Sequence, residues 1–358
     1  MSFKSKKSAK ALAVLFSSLS FVVRLNNAFD NVKINLNSEI KNQQKISWLR
    51  QNPKKVALIA GTSGLVALLG GYLISREIAY KKLFPGQSCN IKEYLSKKQD
   101  FFNHQQRFDI ETVEIKYQNG SLHGHIFMPL YKGKIEKVCV CFGSNGWYSF
   151  EMMNASMPCS KIAYVCIDYP GYGESTYQKI DEKIIDDFTN AVYDFVQSNE
   201  TTKGKELCAL GFSLGGVFAS KFAQKENVKE LYLISPISLH ALLPLFVCKF
   251  LWGFDLNFII NILNINHKCK INICSGGDKD FLSIKKTLFP MFEKETGKKV
   301  TIEDVEKGLE NKNKNLSICL KIYDNLGHNY SEPIYNISNT WCKSLGLTPI
   351  NEKFVYNY

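Results

Sequence analysis

Several features that would steer a functional reading are missing from this 358-residue chain. There is no Cys-x-x-Cys pair and no Cys/His cluster at zinc-ligand spacing, which removes the usual structural-zinc and dithiol-redox readings. The glycine-rich turn at 168–175 lacks both the Gly-x-Gly-x-x-Gly spacing and a P-loop lysine, so a nucleotide-phosphate cradle is not expected there. Histidine is scarce, with six in the whole chain. Charge asymmetry is missing from most of it. Residues 1–100 hold 17 Lys/Arg against 5 Asp/Glu, leaving 28 of each sign in 101–358. The formal net charge of +12 therefore belongs to the N-terminal third, and the rest gives no electrostatic reason to bind nucleic acid.

What is present first is cysteine, eleven in all. Cys139, Cys141, Cys166, Cys208, Cys274 and Cys319 fall inside apolar runs that read as strands, where thiols behave as small core hydrophobes. An odd set of this size fits a reducing compartment better than an oxidising one.

The N-terminal third reads as a membrane anchor. Val56 to Ser75 is 20 residues without a charge, about the length a helix needs to cross a bilayer core. Lys54 and Lys55 precede it, and Arg76, Lys81 and Lys82 follow. A buried core helix is the competing reading. Ala11 to Val23 is a shorter apolar run behind four lysines, read either as a signal-peptide core or as an interfacial helix. Residues 30–55 are a polar linker. The expected organisation is a basic segment over 1–55, a transmembrane helix over 56–75, a connecting segment over 76–107 and a catalytic domain over 108–358. Basic flanks on both sides leave the orientation open, and the strand cysteines favour a cytoplasmic catalytic domain.

From residue 108 the pattern changes. Thr112–Gln118 and Ser121–Pro129 alternate in polarity around Asn119-Gly120, a type I′ hairpin signal. Lys137–Phe142 is a continuous apolar strand, followed by Ile162–Asp168, Leu207–Leu210, Leu231–Ser235, Lys270–Cys274 and Leu316–Tyr323. Residues 181–198 space Ile184, Ile185, Phe188, Val192, Phe195 and Val196 as one helical face. Strands alternating with helices predict an α/β fold: a mostly parallel sheet with helices on both faces.

The chemistry-bearing motif is Gly211-Phe212-Ser213-Leu214-Gly215-Gly216, directly after the apolar strand Leu207–Leu210. A Gly-x-Ser-x-Gly between strand and helix is a nucleophile elbow. The serine hydroxyl must stand clear of a sharp turn, and glycines at two-residue spacing leave room for that turn. The following helix aims its N-terminus and the Leu214 amide at the place where an oxyanion would form.

Residues 168–175 (Asp-Tyr-Pro-Gly-Tyr-Gly-Glu-Ser), the elbow, Gly276-Gly277-Asp278-Lys279-Asp280 and Gly327-His328 together resemble the α/β-hydrolase fold superfamily of esterases, lipases and thioesterases, from about 108 to 345. The resemblance implies a Ser-His-Asp triad in the order nucleophile, acid, histidine. Ser213 would be the nucleophile and His328 the general base and acid. The orienting acid would be Asp280, which follows Gly277 by three residues and precedes Phe281 and Leu282, with Asp278 as the alternative. A second oxyanion amide would come from the loop after Lys137–Phe142, at Ser144 by position and Asn145 next, although this chain has Phe142-Gly143 where many relatives carry His-Gly. Residues 168–175 are structural in that family. His104, His123, His125, His240 and His267 are expected to be structural or exposed.

The stretch 239–269 is an apolar insertion in which residues 239–267 carry only Lys249 and Asp255 as charges, either a lid over an acyl pocket or helices packed on the sheet. Thr301-Ile302-Glu303-Asp304 resembles a helix start. The resulting expectation is a membrane-anchored serine hydrolase of esters or thioesters with an apolar acyl group, needing no metal or organic cofactor. Its partners would be a small-molecule or lipid acyl substrate and the membrane, with no nucleic acid. A peptidase or amidase of the same fold is one alternative, and a non-catalytic binding or effector protein that keeps the fold is another.

Overall fold

A computed structural model describes residues 70–323, apart from 71, 75, 89, 106, 119, 131–133, 156–160, 238–257 and 278–282. Two compact units divide the chain, 1–78 and 79–358. In the first, the described residues are helical. The run Val56–Ser75 lies almost wholly outside the described residues, and so does Ala11–Val23. No helix among the described residues is long and apolar enough to cross a membrane.

The second unit is built on an eight-stranded sheet. In chain order its elements are α1 (Ile91–His104), β1 (Phe108–Tyr117), β2 (Gly120–Pro129), β3 (Lys137–Phe142), α2 (Met152–Ala155), β4 (Ile162–Ile167) and α3 (Glu182–Ser198). There follow β5 (Glu206–Phe212), α4 (Gly215–Phe222), β6 (Val228–Ile234), α5 (Phe258–Leu263), β7 (Cys269–Gly276), α6 (Ile284–Thr287), α7 (Phe289–Thr296), α8 (Ile302–Lys312) and β8 (Leu316–Tyr323). The strands lie in the order β1-β2-β4-β3-β5-β6-β7-β8. β2 runs antiparallel to both neighbours, and every pairing from β4 to β8 is parallel. The C-terminal ends of β3 through β8 therefore share one edge, which is where open α/β sheets place their chemistry.

The central strands are apolar throughout because both their faces are covered. All six residues of β4 are buried, as are six of the seven in β5. The described strand cysteines carry free thiols, and Cys139, Cys141, Cys166 and Cys208 are fully buried at the sheet centre. α3 buries Ile185, Phe188, Val192 and Val196 on one stripe and is capped by Asp181, whose side chain accepts from the Ile184 amide. α4 is buried nearly all round, because it packs on the face of β3, β5 and β6 with α3 and α5 against it.

Two expectations need correction or refinement. The β1–β2 hairpin pairs Tyr117 with Gly120, so the two-residue loop is 118–119 and not Asn119-Gly120. Gln118 takes the left-handed turn conformation at φ 47°, and Gly120 is a strand residue whose missing side chain makes room for Thr176. Within the apolar stretch 239–269, only 258–269 lies among the described residues. There α5 packs into the core, with Phe258, Ile259 and Ile262 buried and the Asn261 side chain donating to Val217 O and Ser220 Oγ on α4. That part is helix packed against α4. Thr301 caps α8 in a reciprocal box with Asp304. Tyr80, Phe84 and Tyr94, from the connecting segment, are buried with the rest of this unit.

Candidate active site

β5 ends at Phe212, and Ser213 makes the turn into α4 with φ at 52°. A non-glycine residue in the left-handed region is strained, and it holds only where its surroundings fix it. Here β6 and the segment that follows it do so. The Ser213 amide donates to Ile234 O at 2.9 Å, and the Ile237 amide donates to Ser213 O at 3.1 Å. The Gly216 amide donates to the same Ser213 carbonyl at 3.0 Å, closing the first turn of α4. Leu214 begins that turn, buried and helical. Ser213 itself is 3% exposed.

The loop after β3 lies against this elbow. A side chain at Gly215 would overlap the carbonyl oxygen of Phe142 and crowd that of Gly143, so only glycine lets α4 approach the end of β3. Trp147 stacks on Phe212 with ring centroids 4.8 Å apart and planes 13° apart. The candidate amide donors Leu214 and Ser144 thus belong to two segments in direct contact. Ser144 and Asn145 are half-buried in a turn where the Trp147 amide donates to Ser144 O at 3.2 Å.

Asp278, Asp280 and His328 lie outside the described residues. What is described is where the chain leaves for them. β7 ends at Gly276 and β8 at Tyr323, both on the sheet edge that carries Ser213, and the Gly277 amide donates to Tyr323 O at 2.9 Å. Among the remaining histidines, His104 is exposed, His123 and His267 are half-buried, and His125 is fully buried. His240 lies outside the described residues.

A buried polar cluster backs the β3 loop, and sequence reasoning missed its parts. Asp168, at the end of β4, is 1% exposed and accepts from the Ser149 amide at 2.6 Å and from Tyr94 Oη at 3.0 Å. Burial pushes its carboxyl up to about 6 despite those donors. Ser149 Oγ lies 3.1 Å from His125 Nδ1. Burial, with Lys98 nearby, lowers that imidazole to about 3, so it is neutral. Ser175 Oγ donates to Asp168 O and accepts from the His123 amide. Tyr169 and Tyr172 add two hydroxyl donors, to Gly143 O at 2.8 Å and Asn145 O at 2.6 Å. The only sequence signal for these tyrosines was their place in the glycine-rich turn after β4.

Residues 138–259 match the family model for the alpha/beta hydrolase fold. Solved structures similar to this chain include an alpha-beta hydrolase from Vibrio vulnificus, at 16% identity and a TM-score of 0.48 over 69% of this chain and 83% of that one. An esterase from Pyrococcus furiosus is 16% identical, with a TM-score of 0.47 over 69% and 91%. An acylaminoacyl peptidase from Pyrococcus horikoshii is 15% identical, with a TM-score of 0.49 over 72% and 45%. No curated protein matches the sequence.

Proposed function

We propose that this chain, which has the alpha/beta hydrolase fold, is a serine hydrolase acting on carboxylic esters or thioesters. The observation that carries the reading is the strained, doubly anchored turn at Ser213, seated at the C-terminal end of a central parallel strand against the loop that follows β3. Ser235, just after β6, is a second buried serine at positive φ, so the angle alone does not mark a nucleophile; Ser213 is set apart by its place in a Gly-x-Ser-x-Gly turn from a central strand into a helix.

In this reading Ser213 Oγ attacks the substrate carbonyl carbon while His328 takes its proton. Asp280, with Asp278 as the alternative, holds the imidazole tautomer and stabilises the imidazolium. The Leu214 and Ser144 amides bind the negative oxygen of the tetrahedral intermediate. That intermediate collapses by breaking the bond to the alcohol or thiol, which leaves with the proton from His328. Water then attacks the acyl-Ser213 ester and gives its proton to His328, which passes it to Ser213 Oγ as the acyl–oxygen bond breaks and the carboxylic acid leaves. Within the stretch 239–269, the apolar character of residues 239–257 supports an apolar acyl group. The basic, apolar N-terminal third supports attachment to a membrane, and the free strand cysteines support a catalytic unit on the cytoplasmic side.

The test is labelling with a fluorophosphonate probe, followed by hydrolysis of p-nitrophenyl acyl esters of increasing chain length. The wild type should label and turn over. Ser213→Ala should lose labelling and about 10⁶-fold in kcat while melting like the wild type. A folded wild type that neither labels nor hydrolyses esters would defeat the proposal, and equal labelling of Ser213→Ala would move the nucleophile elsewhere. Release of p-nitroaniline from peptide anilides, with esters untouched, would favour the peptidase reading.

A further inference from the structure

The segment after β4 holds the β3 loop by its backbone carbonyls, one at a time. Tyr169 Oη donates to Gly143 O at 2.8 Å and Tyr172 Oη to Asn145 O at 2.6 Å. Between them, Ser144 O accepts the Trp147 amide. A trans peptide is planar, and its C=O and N–H point in opposite directions. The Gly143 carbonyl and the Ser144 amide belong to one such plane. Fixing the direction of Gly143 O therefore fixes the direction of Ser144 N–H.

The geometry points to Tyr169 as a positioning residue that aims the Ser144 amide at the developing oxyanion. This rests on the serine-hydrolase reading above and adds a residue to it. Tyr169 suits the task because its ring is held as firmly as its hydroxyl. It is 2% exposed, and burial keeps the phenol protonated and donating. The ring lies 4.4 Å from Phe218 and 5.7 Å from Phe188, centroid to centroid. Phe218 is on α4, the helix whose first turn carries the Leu214 amide. One side chain thus registers both candidate donors: its ring on the helix of one, its hydroxyl on the peptide plane of the other. Tyr172 holds a different plane, the one that contains the Gly146 amide, and so serves as the internal comparison.

Removing the Tyr169 hydroxyl leaves the Ser144 amide in place but free to rotate. The cost to the transition state is bounded by the loss of a whole oxyanion donor, about 10²–10³ in kcat. Tyr169→Phe should lower kcat by about ten-fold or more with KM nearly constant, because the ground-state carbonyl leans less on that donor. Tyr172→Phe should lower kcat by a smaller factor. Steady-state ester hydrolysis by the full chain, with melting curves for each variant, decides it. A wild type without activity or labelling defeats the serine-hydrolase reading itself. An active wild type with kcat unchanged in Tyr169→Phe overturns the positioning role. So do equal losses in the two variants, which would mean general loosening of the loop, and so does a loss confined to KM. Should Tyr169→Phe not fold, 3-fluorotyrosine at 169 keeps the ring and makes the hydroxyl a stronger donor. A displaced kcat at constant KM then sustains the role, and an unmoved kcat overturns it.

Discussion

At the centre of the sheet, where β5 passes into α4, backbone lies directly against backbone, and hydrogen bonds from β6 hold a strained serine in place. At the β8 rim, side chains do the equivalent work. α8 covers the outer edge of β8, and Glu310 and Glu306 accept from the Ile318 and Leu320 amides at 2.8 and 2.6 Å. The centre has almost no freedom to change residue size, since Gly215 meets carbonyl oxygens where a side chain would begin. The rim depends on polar tips of long side chains with solvent beside them. A region that must hold atoms in position for chemistry is built from the rigid part of the chain, and a region that only needs to be satisfied is built from the flexible part.

Gly215→Ala breaks the comparison most sharply if it proves harmless. The added Cβ would overlap Phe142 O, and neither backbone segment is free to yield, since one is a central strand and the other a fully buried helix. A cost of about 4 kcal/mol in urea unfolding is expected, in the range reserved for core overpacking and backbone strain. Fluorophosphonate labelling should fall even in the molecules that remain folded. Wild-type stability and labelling together would show that the close approach is not obligatory.

A second contrast is electrostatic and lies on the β4 side of the centre, where His125 and Asp168 both bond to Ser149. His125, at about 3, sits below an ordinary histidine, so its contribution is present above pH 6.5 and is lost as pH falls toward 3. Asp168, at about 6, sits above an ordinary carboxyl, so its contribution is present below about pH 4 and is lost as pH rises to 6. Between about pH 4 and 6 the two slopes oppose each other, each near 1.4 kcal/mol per pH unit. His125→Phe removes one of them. Relative to the wild type, the variant should gain about 3 kcal/mol between pH 7 and pH 4, read from urea midpoints across that range. Parallel curves would mean that the imidazole is not held neutral by burial.

How much of this was legible in the sequence follows the same division. The strand Lys137–Phe142 was readable to the residue because burial on both faces leaves no other composition, and Leu316–Tyr323 because its burial alternates along the strand. The elbow was readable because its glycines are fixed by close approach. The hairpin loop was misplaced by one residue, since Asn119-Gly120 carries a strong turn signal while Gly120 is glycine for a tertiary reason, the side chain of Thr176. Asp168, Tyr169 and Tyr172 were recognised only as parts of a glycine-rich turn. Tyr169 and Tyr172 act on carbonyls 26 and 27 residues earlier in the chain, and Asp168 on the Ser149 amide and the Tyr94 hydroxyl, and no local pattern encodes such a contact between distant segments. The acid and histidine rest on family order alone, as Asp280 or Asp278 and His328, and lie outside the described residues.

The smallest effect is expected at the rim. Glu306 and Glu310 project from α8 at i and i+4, on one face of the helix, and reach alternate amides of an edge strand. An edge amide without a partner is both a desolvation cost and a template for another strand. Glu306→Ala should cost about 1–2 kcal/mol, the penalty for an amide left with an imperfect partner. Glu306→Gln keeps an acceptor oxygen and should recover most of it. Both variants should keep the wild-type kcat, because the four strands β4, β3, β5 and β6 that surround the elbow are untouched. Sedimentation at increasing concentration should show Glu306→Ala alone beginning to self-associate along β8. A loss of kcat at full stability would mean that the rim reaches the elbow through β7, and that the two regions are not independent.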